Sequence, residues 1–200
     1  MKIPRSICPA LSLAAALAQT ACVGSTPAST FYLLEPLSVA EISVAKPDDM
    51  KDTLVLAPIR VPDYLDRPQF VTASGKNTYR LDEFHRWAER LQDNITRVMR
   101  QDLAALLQAD VVLSNSHKAG PSDLRLVVSI LEFHIDPQGQ AVLVAHWRVS
   151  KDGETIVSEQ NSYRLPSTHD DVPLQVQALN QCLNRFSQDL VLRLKTLNMT

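Results

Sequence analysis

Three cysteines, five histidines and one proline-bounded Tyr-Leu-Asp-Arg run are the groups here whose chemistry could matter most. Cys22 directly follows Thr20 and Ala21. Small residues before a cysteine suit a cleavage that leaves it as the new N-terminus, open to acylation on both sulfur and amine. Gln19 stands where such signals usually carry Leu or another aliphatic residue. An ordinary secretory cleavage after Ala16-Leu17-Ala18 competes with this reading. Cys8 lies within the leader, and Cys182 falls in an apolar helical pattern. If Cys22 carries lipid, Cys182 remains as one buried free thiol; a Cys22–Cys182 disulfide is the alternative in an oxidising compartment.

The search for catalysis comes back nearly empty. There is no Gly-x-Ser-x-Gly elbow, no His-Glu-x-x-His helix, no Gly-Lys-Ser/Thr phosphate loop and no Cys-x-x-Cys pair. His85, His117, His134, His146 and His169 are scattered, and no two have local metal-ligand spacing. His134 and His146 fall on neighbouring strands, where two hydrogen-bonded histidines are a better reading than a metal pair. The expectation is a protein without catalytic residues, metal or cofactor. The run Tyr64-Leu65-Asp66-Arg67, between Pro62 and Pro68, is the most singular segment. Such a stiff loop could present an aromatic anchor to a partner. Equally, Tyr64 and Leu65 could fold back into the core while Arg67 pairs with an acidic neighbour. The stretch from Glu83 to Glu89 is charged and aromatic together, with Trp87 placed to start the core face of a helix.

These groups need a scaffold, and the composition supplies one. An apolar fraction of 45% with 21% charged residues suits one self-sufficient core. A net charge of −2 offers nucleic acid no basic stripe. Lys2 and Arg5 precede a short apolar run from Ile7 to Ala18, too short to span a bilayer. The chain therefore divides into a leader over residues 1–21, a tether over 22–29 and a single domain over 30–200.

Within that domain, residues 31–34 read as a strand and residues 37–52 as a long exposed loop. Leu54 to Val61 is apolar on both faces, as a central strand would be. Gln69–Ala73 and Thr78–Leu81 form a hairpin. A helix follows from a cap at Asp82 to about Gln108, its apolar stripe running from Trp87 to Leu106 with one mild break at Asp102. A short strand at 110–113 precedes strands at 124–135, 141–149 and 155–164. The last helix is the clearest element: Val172, Val176, Leu179, Leu183, Phe186, Leu190 and Leu194 recur at steps of three and four. Asp170 or Asp171 can cap it, and Gln175, Asn180, Asn184, Gln188 and Arg193 form its expected outer face. The fold class is α+β, an antiparallel sheet packed against two long α-helices. A three-stranded meander plus helix is expected twice, over 54–108 and 122–197.

The residues also carry a family resemblance. The lipid-acceptor-like Cys22, then Phe31-Tyr32-Leu33-Leu34-Glu35-Pro36, then Ile59 to Val71 (which contains Val61-Pro62-Asp63-Tyr64-Leu65-Asp66-Arg67-Pro68-Gln69-Phe70), then Trp87-Ala88-Glu89-Arg90-Leu91, and finally Phe133 and Trp147 on successive strands resemble the PqiC family. These are auxiliary lipoproteins of ABC-type and MCE (mammalian cell entry) lipid transport systems. Glu89-Arg90 departs from the family's commoner Glu-Pro. The resemblance implies a protein anchored by lipid in the Gram-negative outer membrane and facing the periplasm, with Val23 after the cysteine in keeping with that address. It implies a periplasm-spanning MCE protein as partner, with assembly possible as a homo-oligomeric ring, and makes Tyr64, Leu65, Asp66, Arg67, Gln69 and Phe70 the candidate contact. Its function would be an adaptor that docks a lipid-transfer tube between the membranes and so supports envelope integrity. A periplasmic carrier holding an acyl chain in its own cavity is the alternative.

Overall fold

A computed structural model describes residues 27–42, 53–116, 120, 123–168 and 170–197. Its backbone is an eight-stranded sheet built around the long strand β6 (Leu124–Ile135). β6, β7 (Gln140–Lys151) and β8 (Glu154–Pro166) form an antiparallel meander followed by a helix, α3 (Val172–Thr196), as the alternation and the heptad-like stripe predict. The local chemistry explains each corner. Asp136 accepts the amides of Gln138 and Gln140 at 2.9 and 2.8 Å across the first turn. Asp152 and Gly153 take left-handed φ of 53° and 84° in the second, the conformation a two-residue hairpin needs. The Asp171 carboxylate caps α3 by accepting the Leu174 amide at 3.0 Å, and proline sits in its first turn.

The other half departs from the expected antiparallel meander. β2 (Leu54–Leu56) pairs in parallel with both β6 and β5 (Val111–Leu113), and β1 (Thr30–Tyr32) pairs in parallel with β4 (Thr78–Trp87). The sheet is therefore mixed. The hairpin of β3 (Gln69–Gly75) and β4 meets β6 through one parallel pair, Thr72 with Ile135. β7 holds one edge of β6 along its length, so β2 and β3 share the other. The parallel pairing of β5 has a plain cause: α2 (Leu91–Leu107) carries the chain back across the sheet before β5 begins, a crossover that forces parallel strands. β2 is shorter than its apolar run because Pro58 has no amide to give. The chain nonetheless continues beside β6, with the Ala57 amide on the Leu126 carbonyl and the Arg60 amide on that of Val128.

α2 begins nine residues later than the cap expected at Asp82. Residues 83–87 are instead drawn into β4, where β1 pairs with them and the Trp87 amide reaches the Pro68 carbonyl at 2.7 Å. Asp82 serves this bulged stretch by accepting the amides of Phe84 and His85. A third, short helix, α1 (Val39–Ile42), occupies part of the expected loop. The Glu41 carboxylate steadies its start by accepting from both the amide and the hydroxyl of Ser38. The remainder of that loop, with Cys22, the leader, His117 and His169, lies outside the described residues.

One continuous apolar core fills the space between the sheet and the two long helices. Trp147, Phe133, Phe70, Phe186, Met99 and Ile95 are sealed within it. Cys182 is sealed there too, its thiol pushed up to about 11 by burial. Gln175 and Asn184, expected on the outer face of α3, are buried. Gln175 folds over to donate to the Thr168 carbonyl at 2.6 Å, and Asn184 borders Leu37 in a shallow cleft.

The polar interruptions of the helices converge on one segment, residues 34–37. The Leu34 amide donates to Asn94 Oδ1 at 3.2 Å, and Arg97 donates to the Leu34 carbonyl at 3.1 Å. The Glu35 amide and carbonyl meet both ends of the Asn180 amide group, at 2.7 and 3.0 Å. The Leu37 amide donates to Asp102 Oδ1 at 2.8 Å. This stretch has no strand partner, so side chains of α2 and α3 satisfy its backbone instead. Asp102 is 1% exposed, and burial pushes its carboxyl up to about 6 despite the Leu37 amide.

A carboxyl with a higher pKa in the folded than in the unfolded chain destabilises the fold when ionised. The penalty is absent below the ordinary value of 3.8, grows up to about 6, and is complete above that. Near pH 7 it is of the order of 2–3 kcal/mol. Asp102→Asn keeps an acceptor for Leu37 and removes the charge. It should raise the urea midpoint near pH 7.5, and the advantage should vanish near pH 4. An advantage independent of pH would refute the role of the charge.

Candidate functional site

The loop from Pro62 to Pro68 is shaped by its own backbone. The amides of Leu65 and Asp66 both reach the Pro62 carbonyl, at 2.9 and 3.1 Å, and the Arg67 amide reaches that of Leu65 at 2.8 Å. This tight coil divides the six candidate contact residues between interior and surface. Leu65 and Phe70 are each 1% exposed, and Phe70 stacks at 5.6 Å on Trp87 in the core. Both hold the loop down and are not available to a partner in this conformation. Asp66 faces the start of α2, pairing with Arg90 at 2.5 Å and accepting the Gln92 amide at 3.5 Å. It thus acts as a helix cap supplied from outside the helix, because Arg90 at the cap position makes no such bond itself.

Tyr64, Arg67 and Gln69 form the accessible part, each half-buried. Gln69 donates to the Glu83 carboxylate at 3.2 Å. The Tyr64 ring lies 4.9 Å from that of Tyr79, which in turn meets His134 edge-on at 5.5 Å. Burial first, then the neighbouring Tyr79 and Glu132, hold the Tyr64 phenol protonated well above its ordinary range. His134 is buried and its pKa is lowered, chiefly by desolvation, although Glu132 lies 3.9 Å away. Tyr64 and His134, on either side of the Tyr79 ring, are therefore held in their uncharged forms and suit contact rather than proton transfer. The Arg67 Nε atom is shut from solvent, with no acceptor and no acidic partner among the described residues. The core-plug reading thus holds for Leu65, while the expected acidic neighbour of Arg67 is not found there.

The described histidines, His85, His134 and His146, do not converge. His146 lies opposite Ser129 and His134 opposite Val142, so the two stand several residues apart along β6 and β7. His146 bonds Ser158 at 3.0 Å, and His85 bonds Tyr32 at 3.1 Å. Among the described residues no cluster of His, Cys, Asp or Glu could hold a metal ion, and no helix is long and apolar enough to cross a membrane.

Residues 32–191 match the profile of the ABC-type transport auxiliary lipoprotein component family. The chain belongs to this family. Solved structures share its fold. One, the crystal structure of an uncharacterized protein, superposes with a TM-score of 0.70 at 20% identity, covering 84% of this chain and 99% of that one. Another, protein XCC0632 from Xanthomonas campestris, of family DUF330, gives 0.65 at 16% identity over 81% and 92%. No curated protein matches in sequence.

The polar contacts to residues 34–37 are the part of this auxiliary lipoprotein that sequence reasoning misses. The signal is faint: Asn94 and Asp102, eight residues apart, interrupt one apolar helix face. Arg90, the departure from the Glu-Pro that the resemblance leads one to expect, also gains an account. Its φ of −56° is one proline adopts, so the backbone already has the shape that Glu-Pro would impose. Arg90→Pro should therefore fold normally. The entropy it removes from the unfolded chain, about 0.4–1 kcal/mol, roughly offsets the exposed Asp66 pair it loses. Asp66→Ala should cost more, about 1 kcal/mol, because it uncaps α2. Thermal melts of the two variants check the order; equal losses would remove the capping role.

Proposed function

We propose that this auxiliary lipoprotein is held in the outer membrane by acyl chains on Cys22, faces the periplasm, and serves as the adaptor subunit of an MCE-type lipid transport system. It would dock a periplasm-spanning MCE protein at the outer membrane, singly or as a homo-oligomeric ring, and so support envelope integrity. Family membership over residues 32–191 carries the reading. The filled interior supports an adaptor over an acyl-chain carrier. A carrier needs room between sheet and helices, where Trp147, Phe133, Phe186 and their neighbours pack instead. The docking contact we assign to the accessible side of the loop: Tyr64, Arg67 and Gln69, with Asp66, Leu65 and Phe70 holding it in shape. Tyr64 is a rigid aromatic and Arg67 a fork of donors, the residue types that dominate interface energies.

Two measurements test this. Mass spectrometry of the mature N-terminus should find diacylglyceryl on the Cys22 sulfur, whereas a chain beginning at Gln19 with a free thiol would sink the anchor. Purification of the membrane-bound protein should bring down an MCE-domain protein. Arg67→Glu should reduce that recovery at least about tenfold without changing the melting temperature, as loss of an interface hot spot does. Full recovery with this variant would move the contact elsewhere.

A further inference from the structure

Ten large apolar side chains are exposed among the described residues, and five of them lie on or beside β1 and β4: Phe31 (61%), Leu33 (48%), Tyr79 (44%), Leu81 (40%) and Phe84 (41%). The strand register puts three of them, Phe31, Tyr79 and Leu81, on one side of the sheet. Leu81 lies opposite Val71 and Tyr79 opposite Ala73, on the face opposite that of Phe70. Beyond the bulge, Phe31 pairs with Arg86, and Arg86 with Gln69, again on that face. Leu33, one residue past β1, and Phe84, within the bulge between Asp82 and Arg86, are exposed beside them. The ring of Tyr79 is taken up by Tyr64 and His134. Phe31, Leu33, Leu81 and Phe84 are left as an apolar rim. Clustering of this kind marks a surface meant for contact.

The position of the rim in the chain indicates what it touches. Phe31 follows Cys22 by nine residues. Fully extended, such a tether spans at most about 30 Å, and a flexible one typically separates its ends by roughly 17 Å. Nearby charge is mixed: Glu83, bonded by Gln69, and Asp82, bonded by two backbone amides, keep their negative charge, while Arg86 stands beside Phe31 as a cation suited to phosphate headgroups. We infer that the β1–β4 rim lies in the headgroup boundary of the membrane that holds Cys22, and that this second, weak attachment fixes how the domain faces its partner. The inference rests on the lipid anchor proposed above. The tether makes the second contact intramolecular, so a patch too small to bind a bilayer from solution is sufficient once anchored.

Tryptophan placed in the rim tests this. Trp87 and Trp147 are 5% and 1% exposed, so they are shielded from a lipid-borne quencher. The membrane-anchored protein carrying Phe31→Trp is reconstituted into phosphatidylethanolamine–phosphatidylglycerol vesicles with brominated acyl chains. Flotation reports anchoring separately from quenching. Should the N-terminus lack lipid, the chain is coupled to a maleimide lipid through Cys22, Cys182 being sealed in the core. In either form, Phe31→Trp emission should fall about twofold, as expected for a side chain some 5–10 Å into the boundary. Leu192→Trp, 61% exposed on α3, should be unaffected. Absence of quenching in the Phe31→Trp variant on floated vesicles overturns the proposal while leaving the anchor intact. Equal quenching in both variants overturns it as well, because the domain would then have no fixed orientation. Shielding of the introduced indole only when a protein partner is added would assign the rim to that partner instead.

Discussion

The structure depends on how residues 34–37 are held. This stretch leads from β1 towards α1 and has no sheet neighbour of its own, so the helices supply one in side chains. Asn94 and Arg97 take the Leu34 peptide, Asn180 takes both polar groups of Glu35, and Asp102 takes the amide of Leu37. The contacts bind the N-terminal segment to α2 and α3 together, so it also ties the two helices to each other. A domain retained at a membrane through its N-terminus would carry any displacement through this segment first. Leu34 and Leu37 are buried beside the hydrogen bonds, so pulling the segment away exposes both apolar surface and unpaired amides.

This arrangement costs stability. A carboxylate with its pKa pushed up to about 6 is a net loss at neutral pH, and an apolar residue at position 102 would pack without that loss. What an apolar residue cannot do is accept the Leu37 amide. Polar groups inside a core give up energy for definition: the segment is held in register because its amides and carbonyls meet acceptors and donors at fixed places on the two helices. The Tyr64 loop follows the same logic at a second place. Asp66 is committed to the end of α2 and Leu65 to the core, so that Tyr64 and Arg67 are held in a defined position. In an adaptor, fixed geometry is the working property.

How much of this can be read from residues alone varies with how local the cause is. The β6–β7–β8 meander and α3 are legible, because alternation, an Asp-Gly turn, the Asp171 cap and an unbroken apolar stripe all point the same way. The direction of β1, β2 and β5 is not. A three-residue strand carries no signal of whether its neighbour runs with it or against it, and the answer lies in the crossover through α2. Residues 83–87 read as helix because Trp87 fits the stripe of α2. Pairing with β1 and the Pro68 carbonyl overrides that periodicity. The singular character of the Tyr64 loop is visible between its two prolines, but its division into buried and accessible residues is not. Which of Leu65, Asp66 and Tyr64 turns inward depends on α2 and β4, both distant in sequence.

The same distinction bears on where an auxiliary transport lipoprotein can act. Among the described residues the Cys182 thiol is pushed up to about 11, the pKa of His134 is lowered and that of the Tyr64 phenol is raised. These shifts share a cause, desolvation, and each favours the uncharged form. At the surface, two features stand apart on different elements. One is an aromatic and basic loop braced against α2; the other is an apolar rim on β1 and β4. β4 bears the rim, and its Tyr79 also supports Tyr64. A rigid strand joining the two surfaces would convert an orientation set at one into an orientation presented at the other, with no conformational change in between.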